Sequence, residues 1–367
     1  MKAFRFALYN FFNYVLQKAA YRLDRPFAKP TQIVFFITSK CCFRCQMCDG
    51  WRLDYDDLPT ADWKRIILDL KSWIGRDFYI HFSGGEPFLR EDMVDILRFT
   101  SGQGIKTFVN SNGYVIDENL ATGIAESGLD YLAISLDGIL PETHDFIRGV
   151  EGAHEKTLQA IEHINSVKPR GMLAGISVAV MQANLDELVP LVEFTEERKL
   201  DRIGFHALRG KYRFAQKETG KAQEERQWYK HSPLWITNLK RLDAVIEQLI
   251  KLKRKGSPIS NSISHLNAMK QYYRDPDKYR GPFRCMVGVN NFVVESDGTV
   301  KLCHRMEPLG DLKEQSAKEI WSSEHAANQR SMIKGCVKQC MTKALYTRSL
   351  REKAEQFFFL LKKGGLS

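Results

Sequence analysis

Residues 33–48 read IVFFITSKCCFRCQMC, a short β-branched and aromatic run that breaks into a loop with cysteines at 41, 45 and 48. Such a run, bounded by Ser39 and Lys40, predicts a strand over Ile33–Thr38. The same figure recurs along the chain. Phe78–Phe82 leads into Ser83-Gly84-Gly85, Lys106–Val109 into Asn110-Ser111-Asn112-Gly113, and Tyr131–Ile134 into Ser135-Leu136-Asp137-Gly138. Ile176–Val180 stops at Met181 and Ile203–His206 at Ala207. Helical periodicity fills the gaps, over Thr60–Trp73, Met93–Gly102 and Ala153–Val167. Six strands alternating with helices predict an α/β fold with a parallel sheet, open or curled toward a barrel. Glycine and polar residues gather after the strands, the edge where such folds collect their chemistry.

Outside residues 31–209 the pattern changes. Residues 1–30 suit an amphipathic helix, 210–282 a helical connector rich in Lys, Arg, Gln and Tyr, and 346–367 a basic amphipathic helix. Residues 283–345 turn to short strands, with Asn291–Glu295 and Thr299–Cys303 joined by Ser296-Asp297-Gly298, a hairpin signal. Phe4, Leu8, Phe11 and Val15 share one helical face, and Phe357–Leu361 lies among basic residues. Packing onto the core is the first reading of both termini, and contact with a membrane surface the second.

The 367 residues carry a formal net charge of +10. Lys and Arg are dispersed, so solvated helix faces account for the charge before nucleic acid does. No apolar run is long enough to span a bilayer, and no short apolar core precedes a small-residue cleavage site. The expected location is the cytoplasm, with peripheral membrane contact as the alternative. Eight cysteines, at 41, 42, 45, 48, 285, 303, 336 and 340, form two clusters separated by a long gap. A disulfide scaffold would spread them through a short chain, so the clustering indicates metal.

Three thiolates in C-x3-C-x2-C spacing can wrap one inorganic centre. A structural zinc site closes with four ligands, and Cys42, adjacent to Cys41, is badly placed to supply the fourth. A [4Fe–4S] cube held by three cysteines leaves one iron open to an outside ligand. The spacing therefore predicts a reactive cluster, with Cys42 a buried non-ligand.

On these residues the sequence resembles the radical S-adenosylmethionine superfamily. The resemblance implies a partial (β/α)6 barrel in which the open iron chelates the methionine moiety. It also implies that one electron passed to the sulfonium releases methionine and a 5′-deoxyadenosyl radical. Cys41, Cys45 and Cys48 match the cluster ligands, and Met47 stands where the family usually places an aromatic residue against adenine. Gly84-Gly85-Glu86-Pro87 looks like the GGEP motif beside the methionine amine, with Glu86 adding charge. Asn112, Ser135 and Asp137 match positions near methionine or ribose, and Arg148, in His144-Asp145-x-x-Arg148-Gly149, the partner of the methionine carboxylate. An external one-electron donor such as flavodoxin or ferredoxin is implied as a partner.

Cys285, Cys303, Cys336 and Cys340 could hold zinc or a second [4Fe–4S] cluster by separation alone. From Cys285 through Leu309-Gly310-Asp311-Leu312 the context resembles the SPASM or twitch extension of radical enzymes, although the full seven-cysteine pattern is not met. That resemblance implies a small C-terminal α+β domain around an auxiliary cluster serving electron transfer or architecture. The expected activity is hydrogen abstraction from a peptide or small biosynthetic intermediate, with net oxidation. Radical modification of a lipid or polyprenyl-linked substrate is the second reading, and a non-catalytic iron–sulfur or zinc-stabilised RNA-binding protein the third. His206 is the candidate for acid/base work, with a packed core histidine the blander reading.

Overall fold

A computed structural model describes residues 2–23, 27–53, 55–209, 228–279, 285–336 and 340–341. An N-terminal helix, α1 (Lys2–Leu23), precedes β1 (Gln32–Thr38), α2 (Thr60–Ile74), β2 (Tyr79–Gly84), α3 (Met93–Gly102) and β3 (Lys106–Ser111). Then come α4 (Glu118–Glu126), β4 (Tyr131–Ser135), α5 (Pro141–Arg148), α6 (Ala153–Val167), β5 (Leu173–Val180), α7 (Leu188–Glu197) and β6 (Arg202–Ala207). Strands β1 to β6 pair in parallel and in chain order, the arc of a partial (β/α)6 barrel.

Alternation along the strands divides the two faces. Ile33, Phe35 and Ile37 point toward the helices, where Phe35 meets Trp63 at 4.8 Å and the edge of Phe82 at 5.6 Å. Val34 and Phe36 face the other way, against Val293, Leu53 and Tyr55. On later strands the helix-facing residues, such as Ile80, Val109 and Phe205, are fully buried. Their neighbours His81, Phe108, Tyr131, Arg202 and His206 are only half-buried. The concave face is therefore the polar and open one.

Both edges of the six-stranded arc are covered. β7 (Asn291–Val294) adds in parallel to β1, with Ile33 opposite Phe292 and Val34 opposite Val293. β8 (Thr299–Lys301) and β9 (Gly310–Asp311) follow antiparallel, so the expected hairpin extends the barrel sheet to nine strands. At the far edge, Ile203 N donates to Pro258 O at 2.9 Å and Ser260 N to Ile203 O at 2.8 Å. Asn261 brackets Phe205, accepting from its N–H at 2.8 Å and donating to its carbonyl at 2.7 Å. The described part of the connector thus caps β6, and its helices Leu239–Lys255 and Ile263–Arg274 bury Leu242, Ile246, Tyr272 and Tyr273 in the main core.

Helix α1 reverses the first reading of its apolar side chains. Leu8, Phe12, Val15 and Leu16 are exposed, whereas Asn13 and Gln17 are buried. Asn13 and Gln17 donate to Lys29 O at 3.0 and 3.1 Å, and Gln17 also reaches Asn290 Oδ1 at 3.1 Å. Side-chain amides on the inner face satisfy backbone carbonyls there, so polar groups took the contact expected of Leu8 and Val15. Phe11 is half-buried; the Phe4 side chain and Phe357–Leu361 lie outside the described residues.

Phe35→Ala should lower the unfolding free energy by about 3–5 kcal/mol, because a void would open against Trp63 and Phe82. A urea titration showing an unmoved midpoint would contradict this packing.

Candidate functional site

The cysteine loop after β1 has no regular structure of its own and is held from two sides. On one, Gly85 N donates to Thr38 O and Glu86 N to Lys40 O, both at 2.8 Å. On the other, Arg44 N donates to Arg148 O at 3.1 Å and Gln46 N to Ile147 O at 2.9 Å. These approaches require glycine: a Cβ on Gly85 would lie 2.0 Å from Lys40 O. Gly149, left-handed at φ +67, would place one 2.3 Å from Arg44 O.

Within the loop, burial pushes the Cys45 thiol up, against the pull of Arg148, whose Nη1 is 3.8 Å from its sulfur. Burial likewise holds Cys48 at about 11 although Gly50 N donates to its sulfur at 3.2 Å. Cys41 donates to Cys42, which raises Cys41 and lowers Cys42 to about 6, and Asn112 Nδ2 adds a bond to the Cys42 sulfur at 3.4 Å. Cys42 is half-buried, not the buried residue expected. Cys41 and Cys48 sulfurs each accept a backbone N–H, from Phe43 at 3.5 Å and from Gly50. Desolvated thiols with oriented N–H donors suit a cationic inorganic centre, since metal coordination removes the proton that burial otherwise retains. Among the described residues no three His, Cys, Asp or Glu side chains close on a single ion. Thiolates on separate irons of a cube need no such closure.

Glu86 serves structure more directly than it serves charge. Its buried carboxylate accepts from Phe88 N at 3.1 Å, Ser111 Oγ at 2.8 Å and Asn112 N at 2.7 Å. It ties the Gly84-Gly85 turn to the turn after β3, and burial raises it to about 7 despite those donors. Met47 is half-buried against the core, and Ser135 half-buried at the end of β4. Asp137 is fully buried: Oδ1 accepts from Ala179 N at 2.7 Å and Oδ2 pairs with Arg148 Nη2 at 2.7 Å. Burial raises Asp137 and Arg148 opposes it. Arg148 Nε, at the end of α5, remains a buried donor with no partner among the described residues. The sequence reading missed His144, whose Nδ1 accepts from Asp137 N at 3.1 Å, and Asn184, which donates to Asp137 O at 2.7 Å. His144 stands in the His144-Asp145-x-x-Arg148-Gly149 stretch with no role read for it, Asn184 lies outside the motifs, and both contacts become visible only when α5 and the turn after β5 meet.

His206 faces the concave side. Burial lowers it to about 3, helped by the positive charge of Arg209 and by His265 and His81. His81, lowered by burial to about 4, stacks on Phe108 at 4.2 Å, and Phe108 on Tyr131 at 4.8 Å. Arg305 donates to Arg209 O, linking the end of β6 to the loop after Cys303. The C-terminal cysteines sense one another: burial raises Cys285 to about 12, and Cys340, Cys303 and Cys336 each add to it. Cys303 is raised by burial and by Cys340 and Cys336. Cys285 and Cys303, desolvated and within electrostatic reach of Cys336 and Cys340, are with them the candidate donors for a four-cysteine cluster.

Residues 35–195 match the radical SAM superfamily, and residues 285–342 match SPASM, an iron–sulfur cluster-binding domain. Fe-coproporphyrin III synthase of Methanosarcina barkeri is 27% identical over 85% of this chain and 80% of its own length. PqqA peptide cyclase of Bradyrhizobium diazoefficiens is 24% identical over 83% of this chain and 76% of its own. In fold, the chain is similar to Streptococcus suis SuiB bound to S-adenosylmethionine, with a TM-score of 0.64, 18% identity, and coverage of 88% of this chain and 75% of that one. These matches bring with them a [4Fe–4S] cluster with S-adenosylmethionine and auxiliary iron–sulfur ligation at the C-terminal end. The chain belongs to the radical SAM superfamily and carries a SPASM domain.

Proposed function

We propose that this enzyme abstracts hydrogen from a carboxylate-bearing biosynthetic intermediate, in a net oxidation. The observation that carries the reading is the loop 41–48, pinned between the Gly84-Gly85 turn and α5 so that its cysteines gather beside Arg148. Cys41, Cys45 and Cys48 would hold the first cluster, and Cys285, Cys303, Cys336 and Cys340 the second. When bound, the first cluster with S-adenosylmethionine supplies a 5′-deoxyadenosyl radical, and the second a one-electron acceptor. The chain's own residues bind and orient. Arg148 offers Nε to the methionine carboxylate while Asp137 fixes its guanidinium through Nη2. Glu86 holds Asn112 and the glycine turn in place. His81, Phe108 and Tyr131 stack along the concave wall. His206 stays a neutral imidazole, too weakly basic to hold a proton at neutral pH. Flavodoxin or ferredoxin would be the external electron donor.

Substrate class follows from charge. Arg209 and Arg305 stand together between the end of β6 and the loop of Cys303, beside His206. Two arginines at this end of the concave face suit a substrate that carries carboxylates. The Methanosarcina relative is named for such a compound, which favours it over the peptide of the cyclase.

Cys45→Ala should abolish 5′-deoxyadenosine formation under dithionite, and full activity in the variant would sink the reading. Reconstituted protein should approach eight irons per chain, at about four per cube. Replacing Cys336 and Cys340 with alanine should lower that to about four irons, with 5′-deoxyadenosine still produced. Four irons and bound zinc in the unaltered protein would make the C-terminal cysteines a structural clasp.

Arg148→Lys should weaken S-adenosylmethionine binding by about 1–3 kcal/mol, since a point charge cannot serve Asp137 and a carboxylate at once. An unchanged dissociation constant would confine Arg148 to its ion pair. Titration with Fe-coproporphyrin III, followed by visible absorbance, should saturate, and Arg209→Gln should weaken it about tenfold, the scale of one charged hydrogen bond. No binding, or binding indifferent to Arg209, would overturn the carboxylate assignment.

A further inference from the structure

Helix α1 turns several of its apolar side chains outward and two of its amides inward. Its inner face is held by Asn13 and Gln17 bonded to Lys29 and Asn290, and by Tyr14 packed on Met286 and Val289. Its outer face presents Leu8, Phe12, Val15 and Leu16, with Leu23 and Phe27 continuing the apolar surface beyond it. Phe12 is 59% exposed and Leu23 64% exposed, values that leave large side chains in water. Exposed apolar residues are ordinary when scattered, but a row on one helix face marks a contact. Charge identifies that contact. The sequence KAFRFALYNFFNYVLQKAAYRL contains Lys2, Arg5, Lys18 and Arg22 and no acidic residue, in a chain of net charge +10. Lys18, over the Tyr14 ring at 5.0 Å, and exposed Arg22 flank the apolar row at its C-terminal half. No helix among the described residues is long and apolar enough to cross a membrane.

We infer that α1 docks the enzyme on the surface of a bilayer rich in anionic lipid. The apolar row enters the boundary between headgroups and acyl chains, and the flanking cations meet lipid phosphates. A second copy of the chain is the weaker occupant, because two α1 faces brought together would oppose like charges with no acidic partner on either helix. The inner face of α1 rests on the short helix Val287–Asn290, so docking through the outer face leaves that packing in place. It is independent of the substrate reading above.

The full-length, reconstituted protein is floated with vesicles of phosphatidylcholine containing phosphatidylglycerol, and with phosphatidylcholine alone. Protein should rise with the anionic vesicles and remain behind with the neutral ones, and added salt should release part of it. Phe12→Glu with Leu16→Glu should reduce flotation at least tenfold while 5′-deoxyadenosine formation is unchanged, which shows the fold intact. Arg22→Gln should weaken flotation less than the double change. Absence of flotation, or flotation unaffected by the double change, overturns the proposal. So does a dimer, seen by light scattering without lipid, that Phe12→Glu and Leu16→Glu convert to monomer, since the face would then belong to a second copy.

Discussion

The segment 39–49, between β1 and the short 3-10 turn Gly50–Arg52, carries the cysteines, with an internal main-chain bond from Cys48 N to Cys45 O. Four main-chain hydrogen bonds hold this segment and the adjoining end of β1 to two other elements, two to the glycine turn and two to the end of α5. Each is a main-chain contact, so it tolerates side-chain variation but no extra atom. That is why Gly85 and Gly149, distant in sequence, are equally constrained by the same loop. The glycine turn is in turn held by Glu86, and α5 by the pairing of its last residue with Asp137. The geometry of the cysteine site is thus fixed by buried polar contacts spread over four strands.

Buried ions of this kind stabilise poorly by themselves, because desolvation offsets most of their attraction. Asp137 and Arg148 gain their value from orientation: Ala179, His144 and Asn184 fix the Asp137 backbone and carboxylate, which leaves the guanidinium one direction in which to point. Its remaining buried donor, Nε, faces no protein acceptor among the described residues. A donor left so in a rigid frame is a cost that a bound carboxylate would remove.

The six barrel strands were readable because each is an unbroken apolar run ended by glycine or a polar turn, and Met93–Gly102 and Ala153–Val167 form at their expected bounds. The cysteine spacing and the glycine turn were readable for the same reason: local chemistry dictates them. Three things were not. The direction of α1 depends on Lys29 and Asn290 accepting from its amides, and periodicity cannot say which face a polar partner will claim. Glu86 looked like charge for a ligand, whereas Ser111 and Asn112 consume it. The parallel pairing of β7 with β1 joins residues some 250 apart by no local signal.

That last pairing changes how the two cysteine clusters relate. A hairpin in a separate domain could move against the barrel, but β7 shares β1's register, and β1 leads directly into Cys41. Cys303 follows β8, one strand further along the same sheet. Arg65 on α2 donates to Leu312 O at 2.9 Å, and Asp69 accepts from Ala317 N at 2.7 Å, so the barrel helix layer also grips the C-terminal segment. Sliding β7 by one residue would exchange Phe292 and Val294 with Val293 between core and concave face, at the cost of burying the wrong set. The spacing between the two candidate cluster sites is therefore set by strand register, and it is as rigid as the sheet that fixes it.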